Sequence, residues 1–87
     1  MNEIQKYISK NESKMLEDLF SLIRIPSISA KPEHHDDMLA CAERWAQLLI
    51  EAGADEALVM PSKGNPIVFG QKTVDPTAKT VLIYAHY

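Results

Sequence analysis

The chain has 87 residues, enough for one small domain and short of the ~100–200 residues of an ordinary one. Hydrophobic residues at 46% and charged residues at 24% make the mixture of a folded globular chain rather than a disordered tail. Nine basic against twelve acidic residues leave a formal net charge of -3, which argues against nucleic-acid binding through bulk charge.

The first residues, Met1 to Ile8, are interrupted by polar side chains and carry none of the ~7–15-residue apolar stretch of a secretory signal. No run approaches the ~20 apolar residues that span a bilayer, so the expected address is cytoplasmic with no membrane partner. Cys41 is the single cysteine, which excludes an intramolecular disulfide scaffold and a thiolate zinc site.

Ile4, Tyr7, Ile8, Met15, Leu16, Leu19, Phe20, Leu22 and Ile23 recur at helical spacing and predict an amphipathic helix. It stops before Pro26, because proline disfavours helix in the residue that precedes it. Pro26 to Pro32 reads as an extended connection. A second helix begins near Asp36 and Asp37, whose carboxylates suit the positive end of the helix dipole. Met38, Ala42, Trp45, Leu49 and Ala52 share its apolar face, Arg44, Gln47 and Glu51 take the other, and Gly53 terminates it.

Beyond Gly53 the pattern changes. Ala57–Met60 and Pro66–Gly70 are short apolar runs separated by Pro61-Ser62-Lys63-Gly64-Asn65, which predicts two neighbouring strands and a turn-rich loop. After the polar loop Asp75–Lys79, the run Thr80-Val81-Leu82-Ile83-Tyr84-Ala85 predicts a third strand, apolar on both faces and buried within a covered sheet. The fold class is therefore α/β: two helices, then the first strands of a mixed sheet covered by helices. Such a strand needs a layer on each side, and the chain reaches His86 and Tyr87 without supplying both. Residues 1–87 thus read as the opening of a longer protein.

Few residues stand out chemically. His34 and His35 lie beside Glu33, Asp36 and Asp37, a potential metal cluster that lacks a zincin-type ligand spacing and reads more simply as a solvated helix start. Ser27 and Ser29 sit outside any nucleophile-elbow pattern and read as loop serines. Cys41 and Trp45 read as core residues, and Gly64 and Gly70 form no phosphate-binding loop. His86 follows directly on an apolar strand, at the end where α/β sheets gather ligands. It suits a metal ligand or base, with a capping histidine bonded to a loop carbonyl as the alternative.

Three stretches, in order, resemble the opening of the aminoacylase/carnosinase-type zinc metallopeptidases. Leu19–Ser29 resembles their first-helix ending on "I-P-S-x-S". The second helix with Trp45, Leu48, Leu49, Ala52 and Gly53 resembles the element that runs into "x-x-G". Thr80–Tyr87 resembles the strand that delivers the first metal ligand in "G-H-x-D-V-x-P", and its "Y-x-H-Y" is similar to the dipeptidase branch. Ala85 stands where glycine is usual.

The resemblance implies that residues 1–87 are the incomplete amino-terminal part of a catalytic domain, with its remainder and any lid or dimerisation domain lying beyond. It implies a full-length hydrolase that cleaves dipeptides or short peptides with metal-activated water. The related alternatives are an N-acyl amino acid deacylase or a carboxypeptidase. Two zinc ions are the implied cofactor, with manganese or cobalt as alternatives, and His86 is the one implied metal ligand. No catalytic residue falls within the chain and the substrate-binding residues are not assigned. The implied partners are a short peptide or N-acyl amino acid, with a homodimer of the full-length protein left open. A reading from another class is a small non-catalytic α/β module that binds through an open sheet edge.

Overall fold

The computed structural model describes residues 2–87. Helix α1 spans Glu3–Ile23, a 3-10 turn spans Pro32–His34, helix α2 spans His35–Glu51, and strands β1 and β2 span Glu56–Met60 and Ile67–Gln71.

The helix ends follow from local chemistry. At the start of α1 the Asn2 side chain accepts from the Gln5 amide at 2.8 Å, and Gln5 Oε1 accepts from the Asn2 amide at 3.1 Å. This reciprocal pair is a capping box, which satisfies two donors a helix would otherwise leave bare. The helix closes at Arg24, two residues before Pro26. Helix α2 carries Asp36 and Asp37 in its first turn. It ends at Ala52 with Gly53 at φ 107, a left-handed backbone that costs glycine little. The Gly53 amide then donates to the Ile50 carbonyl and the Ala54 amide to that of Leu49, both at 3.0 Å, which forms a Schellman motif.

β1 and β2 pair antiparallel as a two-stranded sheet, with Leu58 opposite Phe69 and Ala57 opposite Gly70. α2 packs against both strands. Gly70 explains how closely: a Cβ added there would stand 2.9 Å from Leu49 Cδ1. Alternation places Ala57, Val59 and Val68 on the same helix-facing side as Gly70. Leu58, Met60, Ile67 and Phe69 share the opposite face, and all four are exposed.

The connecting loop is ordered by Ser62, whose hydroxyl accepts from the Gly64 amide and donates to the Asn65 carbonyl at 2.6 Å. At the far end of the hairpin the Asp55 amide donates to the Gln71 carbonyl at 2.9 Å, while its carboxylate accepts from the Thr73 amide at 2.8 Å and from Lys72 at 3.3 Å. The Thr73 amide first, and Lys72 second, hold the Asp55 carboxyl below its ordinary pKa.

The third expected strand does not form. Residues 80–87 adopt no regular structure, and the sheet is an antiparallel pair rather than the start of a mixed sheet. Helix α2 covers one face only. The reason is that a strand is defined by its ladder partner. An apolar, β-branched run has a strand's propensity, but Thr80–Ala85 is paired with neither β1 nor β2. Val81, Leu82, Ile83 and Tyr84 stay 80–88% exposed, the opposite of the burial their composition predicts.

The buried core is small: Met38, Cys41 and Ala42, all on α2. Cys41 is thus the core residue its position predicts, whereas Trp45 is half-buried. No helix among the described residues is long and apolar enough to cross a membrane.

Candidate functional site

His86 lies in a segment that starts from a local turn and is tied to the rest of the fold at Tyr87. Before it, the Asp75 carboxylate accepts from the Thr77 amide at 2.9 Å and the Thr77 hydroxyl at 2.8 Å. The Ala78 amide closes the turn on the Asp75 carbonyl at 3.0 Å. These Thr77 donors hold the Asp75 carboxyl below its ordinary pKa, the amide contributing most. Thr80–Ala85 then runs without ladder bonds to the anchor at the end of the segment.

That anchor is Tyr87. Its hydroxyl donates to the Pro66 carbonyl, in the loop that leads into β2. Its ring lines a cavity of about 250 Å³ with Leu19, Ile25, Cys41 and Trp45. Burial first, and the neighbouring Cys41 second, push the Tyr87 phenol above its ordinary pKa. The adjacent His86 stays exposed.

On the exposed side His86 meets Tyr84. The two rings stand edge to face with centroids 5.2 Å apart and planes at 72°, and His86 Nε2 lies 3.2 Å from the Tyr84 hydroxyl. The hydrogen-bond partner is therefore a tyrosine two residues back rather than a loop carbonyl. One ring nitrogen is engaged, and the other has no protein partner among the described residues.

The donor set decides what this arrangement can hold. A catalytic zinc takes at least three protein ligands, and no group of three His, Cys, Asp or Glu side chains converges among the described residues. The imidazole of His86 suits one coordination position. The set in residues 2–87 does not fit a catalytic zinc, and further ligands would have to come from outside it.

The other histidine cluster resolves into a local contact. His34 Nδ1 lies 2.8 Å from Asp37 Oδ2 across one helical turn, and His34 occupies the N-cap position of α2. That is the helix-start position its surroundings predict. Ser27 lines the small cavity, and its amide donates to the Ile25 carbonyl at 2.7 Å in the turn after α1. Ser29 is exposed.

Arg44 departs from the expectation of a solvent-facing position. Its Nε donates to the Ser21 hydroxyl at 2.9 Å and a terminal nitrogen lies 3.8 Å from Asp18 Oδ1, both on α1. Ser21 in turn donates to the Asp18 carbonyl at 2.6 Å. Sequence periodicity gave no sign of this link, because its ends lie 23 residues apart. The inward turn of Tyr87 was equally hidden, since nothing local to it names Pro66 as its acceptor.

No family model matches the chain, and no solved structure matches it.

Proposed function

We propose that residues 1–87 are the amino-terminal portion of a cytoplasmic zinc-dependent metallopeptidase that hydrolyses dipeptides or short peptides. The observation that carries this reading is the ordered trio of sequence stretches: "I-P-S-x-S" after α1, the Trp45-to-Gly53 helix ending, and "Y-x-H-Y" at Tyr84–Tyr87. His86 would supply one metal ligand. Its exposure and its partner-free ring nitrogen are compatible with that role. The cation, once held by ligands from both sides of Tyr87, would polarise the scissile carbonyl and acidify a bound water. Residues 1–87 contribute no acid, base or nucleophile to the reaction. An N-acyl amino acid deacylase or carboxypeptidase built from the same elements is the nearest alternative.

The decisive experiment is a panel of dipeptides and N-acyl amino acids presented to the full-length, zinc-loaded protein with and without a chelator. Chelator-sensitive hydrolysis that falls by about 100-fold or more in His86→Ala supports the reading, in line with the cost of disturbing metal-site residues. Absence of hydrolysis across the panel overturns it.

The unpaired Thr80–Ala85 run and the free sheet edges favour one second reading, a non-catalytic module that pairs an extended strand of another protein. It expects a complex or oligomer in sedimentation, and a folded monomer that takes up no partner would remove it.

A further inference from the structure

We infer that helix α1 is a hinged arm, fastened to the rest of the chain by the Arg44 contact and able to swing away while α2 and the hairpin stay folded. Four observations carry this. Of the regular elements α1 touches only α2. It buries none of its residues, and Leu16, Leu19 and Phe20 on its apolar stripe remain 40–48% exposed. The α1/α2 contact is gapped: the small cavity lies between Leu19, Leu22 and Ile23 of α1 and Cys41 and Trp45 of α2. A second groove of about 610 Å³ opens between Tyr7, Met15 and Leu19 on one side and Trp45, Leu48 and Leu49 on the other. Solvent-open space on both sides of the contact leaves these apolar side chains partly in water, so little of their surface is buried between the two helices.

The two helices are also joined by a polar contact. The Arg44 guanidinium reaches across to the Ser21 hydroxyl and the Asp18 carboxylate, and the side chains of Arg44 and Asp18 are only 22% and 30% exposed. Lys14 bonds the same Asp18 oxygen from within α1 and so competes for its charge rather than joining the two helices. By contrast α2 holds the buried residues and packs on both strands. Few buried apolar contacts and a single partly buried ionic contact mark a segment that opens before the rest of its domain. Opening uncovers Trp45, which lines both gaps and reports on the motion.

Amide hydrogen exchange on the full chain tests this, with Trp45 emission as a second readout. In the unsubstituted protein the amides of α1 are expected to exchange at least about tenfold faster than those in the centre of α2. Arg44→Ala should speed α1 by about tenfold again, the worth of a partly buried charged hydrogen bond, leave α2 unchanged and shift Trp45 emission to the red. Raising salt from about 0.05 M to about 1 M should move the unsubstituted protein in the same direction. Ser21→Ala removes only the Nε partner and should give a smaller change of the same kind. Equal exchange in α1 and α2, or a loss of protection shared by both helices in Arg44→Ala or Ser21→Ala, would mean that the helices open as one unit and would overturn the inference.

Discussion

Helices α1 and α2 start from similar sequences and end in different situations. Both are amphipathic, both carry acidic residues at the amino end, and α1 is the longer at 21 residues against 17. Yet α2 holds all three buried residues and α1 none. An apolar stripe supplies stability only to the extent that something covers it. α2 lies between a helix and a sheet, whereas α1 meets one gapped surface. In a small chain the position of a helix among its neighbours outweighs its own periodicity.

The largest test of that difference compares truncations on the two helices. Met38→Ala on α2 should cost about 2–4 kcal/mol, the range for emptying a buried site. Leu19→Ala on the half-exposed stripe of α1 should cost only about 1 kcal/mol, because about half of its surface stays in water on folding. Urea unfolding of both variants checks this, and equal costs would remove the distinction between the helices.

Next is the seam between α2 and the sheet. Gly70→Ala places a methyl 2.9 Å from Leu49 Cδ1. It should cost about 1 kcal/mol, near the lower end for overpacking, because a leucine end can yield. Leu49→Ala in the same chain should abolish that increment, which a double-mutant cycle measures. An undiminished increment would place the strain in the backbone instead.

A smaller effect is expected at the other end of α1. Asn2→Ala removes the capping box and should cost that helix about 0.5–1 kcal/mol. The loss should appear as reduced helicity by far-ultraviolet circular dichroism, with the sheet amides unmoved. If α1 and the sheet lose protection together, the two are more tightly joined than their packing implies.

The smallest effect is electrostatic. The Asp55 carboxyl is held below its ordinary value of 3.8 by the Thr73 amide and Lys72. A depressed folded pKa means that its contribution is complete above pH 3.8 and is lost as pH falls through the lower folded value. The Thr73 amide resonance should follow that titration in the native protein and be flat in Asp55→Asn. The effect is confined to the hairpin end, because Asp55 is on the surface.

Legibility in the sequence tracked how local the cause was. Pro26 and Gly53 act on their own neighbours, so the ends of both helices were readable within a residue or two. The hairpin was readable because Pro61–Asn65 is a turn by composition and two short apolar runs flank it. Thr80–Ala85 was misleading for the same reason. Its composition describes a strand's surface, while a strand's existence depends on a partner elsewhere. His86 could be singled out by its place after that run, but its contact with Tyr84 and the inward turn of Tyr87 depend on the path of the whole segment.

The sequence by itself therefore determined the helices, the hairpin, the turns between them and the single histidine worth proposing as a ligand, all through interactions within a few residues. Only the tertiary structure decided which apolar faces are covered, that the last apolar run stays unpaired, and that Arg44 bridges the two helices. Those outcomes depend on contacts between residues far apart in the chain, and no local pattern encodes the distance between them.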